Sequence, residues 1–148
     1  MEKSFKKCLS RYGLIRLLIM INGEPFYFLV DTGCNTNYIT PETAERLHKR
    51  IQVVGEGSTQ AYRGKSKREL IVEIMFKFNF EWLTLNFNIM RDTSSFMNLE
   101  REGIHFDGIL GTPFLYASKA TIDFADLKIK ADNKREQKDL EGTPWYVL

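Results

Sequence analysis

The chain of 148 residues is poor in the side chains that build metal centres and disulfide frameworks. It has two cysteines, Cys8 and Cys34, and two histidines, His48 and His105. Two cysteines leave a single bridge open but make no framework, and no Cys/His spacing matches a zinc site. The expectation is a reducing, cytoplasmic setting with no metal and no cofactor. A dominant charge sign is also lacking. Lys and Arg number 21 against 19 Asp and Glu, a formal net charge of +2. The basic clusters Lys6-Lys7, Lys65-Lys67-Arg68 and Lys134-Arg135 read as solvated surface, so no nucleic-acid partner is expected. The apolar stretch Leu14 to Ile21 follows a basic N-terminus, but Arg16 interrupts it and no small-residue cleavage site follows. It is too short to span a bilayer, so it reads as a strand and no membrane partner is expected. Met1 reads as the start of a free-standing protein, and no internal repeat or low-complexity segment is visible.

What is present suits one domain with a filled core: 43% hydrophobic and 13% aromatic residues, with 27% charged. Residues 1–12 are polar and basic and read as a loose N-terminal arm. Gly13 to Ile21 and Pro25 to Val30 read as strands joined at Asn22-Gly23, both of which tolerate positive φ. Thr40-Pro41-Glu42 starts a helix over about 41–49, with Thr40 as N-cap and Pro41 in the first turn. Ile51 to Val54 returns to strand, and Gly55-Glu56-Gly57-Ser58 reads as a flexible turn. Leu70 to Phe80 alternates, with Leu70, Val72, Ile74, Phe76, Phe78 and Phe80 on one face, and Trp82 to Met90 is its partner. The aromatic set Phe76, Phe78, Phe80, Trp82 and Phe87 reads as core. Residues 91–106 read as an irregular polar loop. Thr112-Pro113 opens a second short helix ending near Ser118, and Lys119 to Phe124 with Leu127 to Ala131 forms a last hairpin. The tail from Asp132 is charged but ends Pro144-Trp145-Tyr146-Val147-Leu148, an apolar end suited to docking. The predicted domain is 13–131, between the arm at 1–12 and the tail at 132–148. The class is mainly β with two short helices, and many short strands of this kind close into a barrel or small sandwich.

The chemistry concentrates at Asp31-Thr32-Gly33. The triplet ends the apolar strand Phe26-Tyr27-Phe28-Leu29-Val30, and buried strands seldom end in a carboxylate without a use for it. The bland alternative is an Asp that caps a turn by accepting backbone N–H bonds. Two further segments add to the pattern: the Gly-x-Gly stretch Gly55-Glu56-Gly57 and the apolar-apolar-Gly stretch Ile109-Leu110-Gly111.

Taken in order, these pieces resemble the retropepsin-like aspartic proteases. The matching parts are Gly13–Ile21, Asn22-Gly23, Phe26 to Ile39 around Asp31-Thr32-Gly33-Cys34, Gly55–Gly57, Ile109–Gly111 and Ile122-Asp123-Phe124, together covering about 13–131. The resemblance implies a closed acid-protease barrel and a role for each match. Asp31 would be the catalytic aspartate. Thr32 would reach the partner's backbone through its hydroxyl, and Gly33 would let substrate backbone approach. Gly55, Glu56 and Gly57 would form the tip of a flap over the substrate, with Ile109, Leu110 and Gly111 packed behind the catalytic loop.

Peptide hydrolysis by this route takes two carboxylates, one accepting a proton from water and one donating to the scissile carbonyl. The chain holds a single Asp-Thr/Ser-Gly triplet. Asp107-Gly108 lacks the middle residue, and Asp123-Phe124 and Asp126-Leu127 lack the glycine. The second carboxylate is therefore expected from a second copy, in a symmetric homodimer acting on a peptide or protein substrate without a covalent intermediate. A non-catalytic peptide- or protein-binding module of the same fold is the alternative, and a subunit completed by a different chain is a third. The sequence departs from the viral pattern in three places. Cys34 stands where Ala is usual, and Thr112 and Asn35 stand where an Arg–Asp pair is common. Cys34 as a catalytic nucleophile would need a histidine, and neither histidine has a visible reason to sit beside it.

Overall fold

The structure, a computed structural model, describes residues 1–60 and 66–132, without the side chains of 58–60, 66 and 67. The elements run β1 (Glu2–Ser4), α1 (Lys6–Tyr12), β2 (Arg16–Ile21), β3 (Glu24–Val30), β4 (Tyr38–Ile39), α2 (Pro41–Arg46), β5 (Ile51–Gln60), β6 (Ser66–Phe78), β7 (Glu81–Ile89), α3 (Ser94–Arg101), β8 (Gly108–Leu110), α4 (Thr112–Ala117), β9 (Thr121–Asp123) and β10 (Lys128–Lys130). Strands β2-β3-β8-β4-β7-β6-β5 form one sheet and β1-β10-β9 a second. The chain is mainly β, as read from sequence. The expected barrel closure is not found: among the described residues β2 and β5 remain the edges of the larger sheet. Among the described residues four short helices replace the expected two.

Local chemistry explains the first hairpin. Asn22 and Gly23 adopt φ of 55° and 77°, the left-handed pair that a two-residue hairpin turn requires. The turn sets the register Leu17↔Phe28 and Ile19↔Phe26, so alternate residues of both strands share the core face. Leu17, Ile19, Ile21, Phe26, Phe28 and Val30 are all buried. A one-residue slip would expose all six, at about 1.5–3 kcal/mol each. That rivals the roughly 5–15 kcal/mol that holds a whole domain together, so the register is strongly specified.

The β6–β7 hairpin was read correctly in its middle and wrongly at its ends. Val72, Ile74, Phe76 and Phe78 are buried, and Phe87 opposite Val72 joins them. Leu70 is 44% exposed, Trp82 63% and Phe80 79%, so these are not core. Phe80 lies in the turn, where Asn79 and Phe80 take φ of 51° and 65°. The ladder closes at Phe78↔Glu81, so the apolar alternation of the sequence runs one step beyond the strand.

Residues 1–12 do not form a loose arm. β1 pairs with β10, Phe5 is buried, and its ring meets Phe124 edge-on at 5.6 Å. Helix α1 follows and stops at Gly13, whose φ of 70° and N–H bond to the Leu9 carbonyl cap its end. Residues 91–106 are likewise not wholly irregular. They carry α3, and Phe96, Ile104 and Phe106 make a small second core. Asp92 Oδ1 accepts from both the N–H and the hydroxyl of Ser94 at the start of α3. Helix α2 begins as read, with the Thr40 hydroxyl accepting from the Thr43 N–H, but ends at Arg46 rather than 49. Helix α4 opens at Thr112 as read, with Gly111 in the N-cap position. Of the tail expected at 132–148, all but Asp132 lies outside the described residues.

Candidate active site

β3 and β8 run parallel, with Val30 beside Leu110. β4 pairs antiparallel on the other side of β8, with Tyr38 beside Ile109. The chain therefore leaves β3 at Asp31, passes over the end of β8 and returns as β4. The fit is tight enough that a Cβ at Gly108 would collide with the Tyr38 carbonyl oxygen and sit 2.8 Å from the Phe28 ring. Only glycine allows the two flanking strands this close to β8.

The crossing loop is braced from its interior. The Asp31 N–H donates to the Leu110 carbonyl at 3.0 Å, and the Thr112 N–H donates to the Cys34 carbonyl at 2.8 Å. Asn37 is 1% exposed; its Oδ1 accepts from the Gly111 N–H at 3.0 Å and its Nδ2 donates to the Asn86 carbonyl at 3.3 Å. Its carbonyl accepts from the Asn88 N–H. One side-chain amide thus ties the loop, β7 and the end of β8 together. Thr112 and Asn35 make no Arg–Asp pair, and the backbone bond from Thr112 and the amide of Asn37 hold this loop.

Asp31 is half-buried, with Thr32 and Gly33 exposed beside it. Asp31 Oδ1 accepts from the Gly33 N–H at 2.9 Å, the capping contact of the bland reading. Oδ2 has no hydrogen bond among the described residues. The carboxylate is thus oriented through one oxygen while the other stays available. Cys34 lies below, its thiol donating to the Thr36 carbonyl at 3.0 Å. Burial pushes this thiol above its ordinary value; the hydrogen bond to Thr36 opposes that, and the Asp31 and Glu69 carboxylates add to it. Cys34 therefore stays protonated at neutral pH, unlike an activated nucleophile.

The remaining sequence-predicted residues are placed as follows. Ile109 lies on β8, half-buried against the cluster of Phe96, Ile104 and Phe106 behind the loop. Gly55, Glu56 and Gly57 do not form a turn. They lie within β5, opposite Ile71, Leu70 and Glu69, just after a register shift between Val53 and Gly55. The β5–β6 ladder extends to Gln60↔Ser66, and residues 61–65 lie outside those described. Gly57 serves close approach: a Cβ there would lie 3.1 Å from Ile71 Cδ1 and 3.4 Å from Asn88 Nδ2.

Three polar residues escaped the sequence reading. Asn37 is one and the buried Glu69 on β6 is another. The third is Asp107, dismissed from sequence as an incomplete triplet. It is 4% exposed and braces the strand entering the site. Its Oδ2 accepts from the Tyr27 N–H at 2.8 Å, and Oδ1 meets His105 Nε2 at 2.7 Å and Arg46 at 3.5 Å. His105 Nδ1 in turn meets Glu100 Oε1 at 2.9 Å. Partial burial alone would lower the His105 pKa, but the hydrogen bonds to Asp107 and Glu100 outweigh it and raise it. A raised folded-state value favours the folded chain below the ordinary imidazole range, and that gain fades as pH climbs through the raised value. His105→Gln should therefore lower the melting temperature more near about pH 5.5 than near about pH 8.5, read by thermal unfolding. An equal drop at both would show that charge on the ring adds nothing.

The family model described as aspartyl protease matches residues 18–114, from β2 to the start of α4. The chain belongs to the aspartyl protease family. No curated protein sequence matches it. Among solved structures it resembles a retropepsin-like aspartic protease from Rickettsia conorii, with a TM-score of 0.56, 19% identity and 87% of each chain covered. The retroviral protease-like domain of Ddi1 from Leishmania major gives a TM-score of 0.54 at 18% identity, covering 81% of this chain and 85% of that one. The EIAV protease, solved with the inhibitor HBY-793, gives 0.54 at 17% identity, covering 72% and 88%. At these identities the likeness is one of fold, and the fold is retropepsin-like.

Proposed function

We propose that the protein is an aspartic endopeptidase acting as a homodimer, with one Asp31 from each copy forming the catalytic pair. The observation that carries the reading is Asp31 itself. It is half-buried in a braced loop, with one oxygen fixed by the Gly33 N–H and the other without a hydrogen bond among the described residues. Two such carboxylates brought together cannot easily both ionise, so they share one proton. The ionised member takes a proton from water as the water attacks the scissile carbonyl. The protonated member donates to the carbonyl oxygen, and the tetrahedral species then collapses with the proton passed to the leaving amine. Thr32, exposed next to Asp31, would bond across the two-fold axis through its hydroxyl. The β5–β6 hairpin would lie over an extended peptide, with Gly55, Glu56 and Gly57 in its rising strand and Ile109 supporting the loop from behind. No cofactor or metal takes part in these steps.

The test is cleavage of a fluorogenic peptide across protein concentrations, with Asp31→Asn as the blank. Specific activity should rise with concentration and level off once the dimer is filled. A concentration-independent activity would overturn the dimer. Peptide binding without cleavage at any concentration would favour a binding module of the same fold.

A further inference from the structure

Beside the Asp31 loop lies an open groove of about 640 Å³. It is lined by Asn35, Thr36 and Asn37 from the loop, by Glu73 of β6, by Asn86 of β7 and by Tyr116 of α4, among others. Its position matters. Asn35 and Thr36 follow the Asp31-Thr32-Gly33 turn after the single residue Cys34, so the groove borders the loop that carries Asp31. Its chemistry is uneven. Most of the lining residues are amides, hydroxyl-bearing residues or apolar ones, and Glu73 is the one charged residue among them. Glu73 is half-buried and has no ion pair or side-chain hydrogen bond among the described residues. Across β7 its ladder partner is Asn86, so the carboxylate is flanked by a carbonyl-bearing amide on the same face.

We propose that Glu73 selects a basic side chain of the peptide substrate, Lys or Arg, at a position remote from the scissile bond. This rests on the reading of the Asp31 site as a peptide-binding centre. A half-buried carboxylate loses part of its hydration without gaining a partner, and a cation entering the groove restores the balance. The exposed amide of Asn86, the ladder partner of Glu73, can present its oxygen to a remaining N–H group of that cation. A neutral side chain fills the same volume but leaves Glu73 unpaired. An acidic one meets like charge at short range. The groove thus distinguishes substrates by charge.

The test uses binding, so that it does not depend on cleavage. Fluorescein-labelled octapeptides of alanine around a central Phe-Phe pair carry one Lys, or its uncharged analogue norleucine, at each flanking position in turn. They are titrated by anisotropy against Asp31→Asn protein and against Asp31→Asn with Glu73→Gln. In the first protein, Lys should bind about tenfold tighter than norleucine at one position, and the advantage should shrink in high salt. Glu73→Gln should remove that advantage while leaving the norleucine peptides unchanged, and Glu73→Lys should invert it in favour of Glu peptides. Equal losses for Lys and norleucine peptides with Glu73→Gln would overturn the proposal, as would a Lys preference that survives it. Failure of wild-type protein to cleave any of these peptides would count against the peptidase reading alone. Failure of every peptide to bind would overturn both readings.

Discussion

An equal mixture of wild-type and Asp31→Asn protein is expected to retain about a quarter of wild-type activity, because random assortment leaves that share of dimers with both carboxylates. The chains must be mixed at low concentration, or refolded together, so that subunits exchange before assay. Pure Asp31→Asn protein should lose activity by about 10²–10⁴-fold, the range general acid–base catalysis supplies. Asparagine matches the shape of aspartate but neither holds nor releases the proton that the pair must share. The variant should remain folded, because its carbonyl oxygen can still accept from the Gly33 N–H, the one hydrogen bond that the Asp31 side chain makes among the described residues. Its melting curve should therefore sit within roughly 0.5 kcal/mol of wild type. Retention of half the activity in the mixture would mean that each chain works alone, and the homodimer would be abandoned.

What the sequence made legible was local. Asn22-Gly23 sets its turn through its own φ values, the run before Asp31 marks a buried strand, and Thr40 caps the helix that starts at Pro41. What stayed hidden depends on distant partners. Asn37 is one polar residue among several until Gly111, 74 positions later, donates to it. Phe5 anchors a segment whose other residues look like solvated surface, and only the β1–β10 pairing explains why that segment folds. Gly55 and Gly57 were read as a turn because glycine so often punctuates one. The same residues also serve bulges and close packing inside strands: Gly55 follows the register shift after Val53, and Gly57 leaves room for the Ile71 side chain. Periodicity failed at Phe80 for a related reason: alternation records which face a side chain would take, not where the ladder stops.

Gly111→Ala should be strongly damaging to the loop that carries Asp31, and Gly55→Ala nearly silent. A Cβ at Gly111 would lie 2.5 Å from the Cys34 carbonyl oxygen and 2.6 Å from that of Thr36. Both are backbone atoms of the Asp31 loop, so no side chain can swing aside to make room. The conflict is purely steric, since φ at Gly111 is −92°, a value any residue adopts. To admit the methyl group the loop must retreat by most of an ångström. That stretches the Gly111–Asn37 and Thr112–Cys34 hydrogen bonds at once. Overpacking with loss of two buried bonds should cost about 2–4 kcal/mol, seen as a fall in melting temperature. Peptidase activity, assayed where the variant is still folded, should fall further than the folded fraction does, because the displaced loop carries Asp31. Gly55 has nothing within 4 Å of its Cβ position, so Gly55→Ala should stay within about 0.5 kcal/mol of wild type. Equal tolerance at both positions would mean that the loop is not held against β8 as described, and the bracing of Asp31 would have to come from elsewhere.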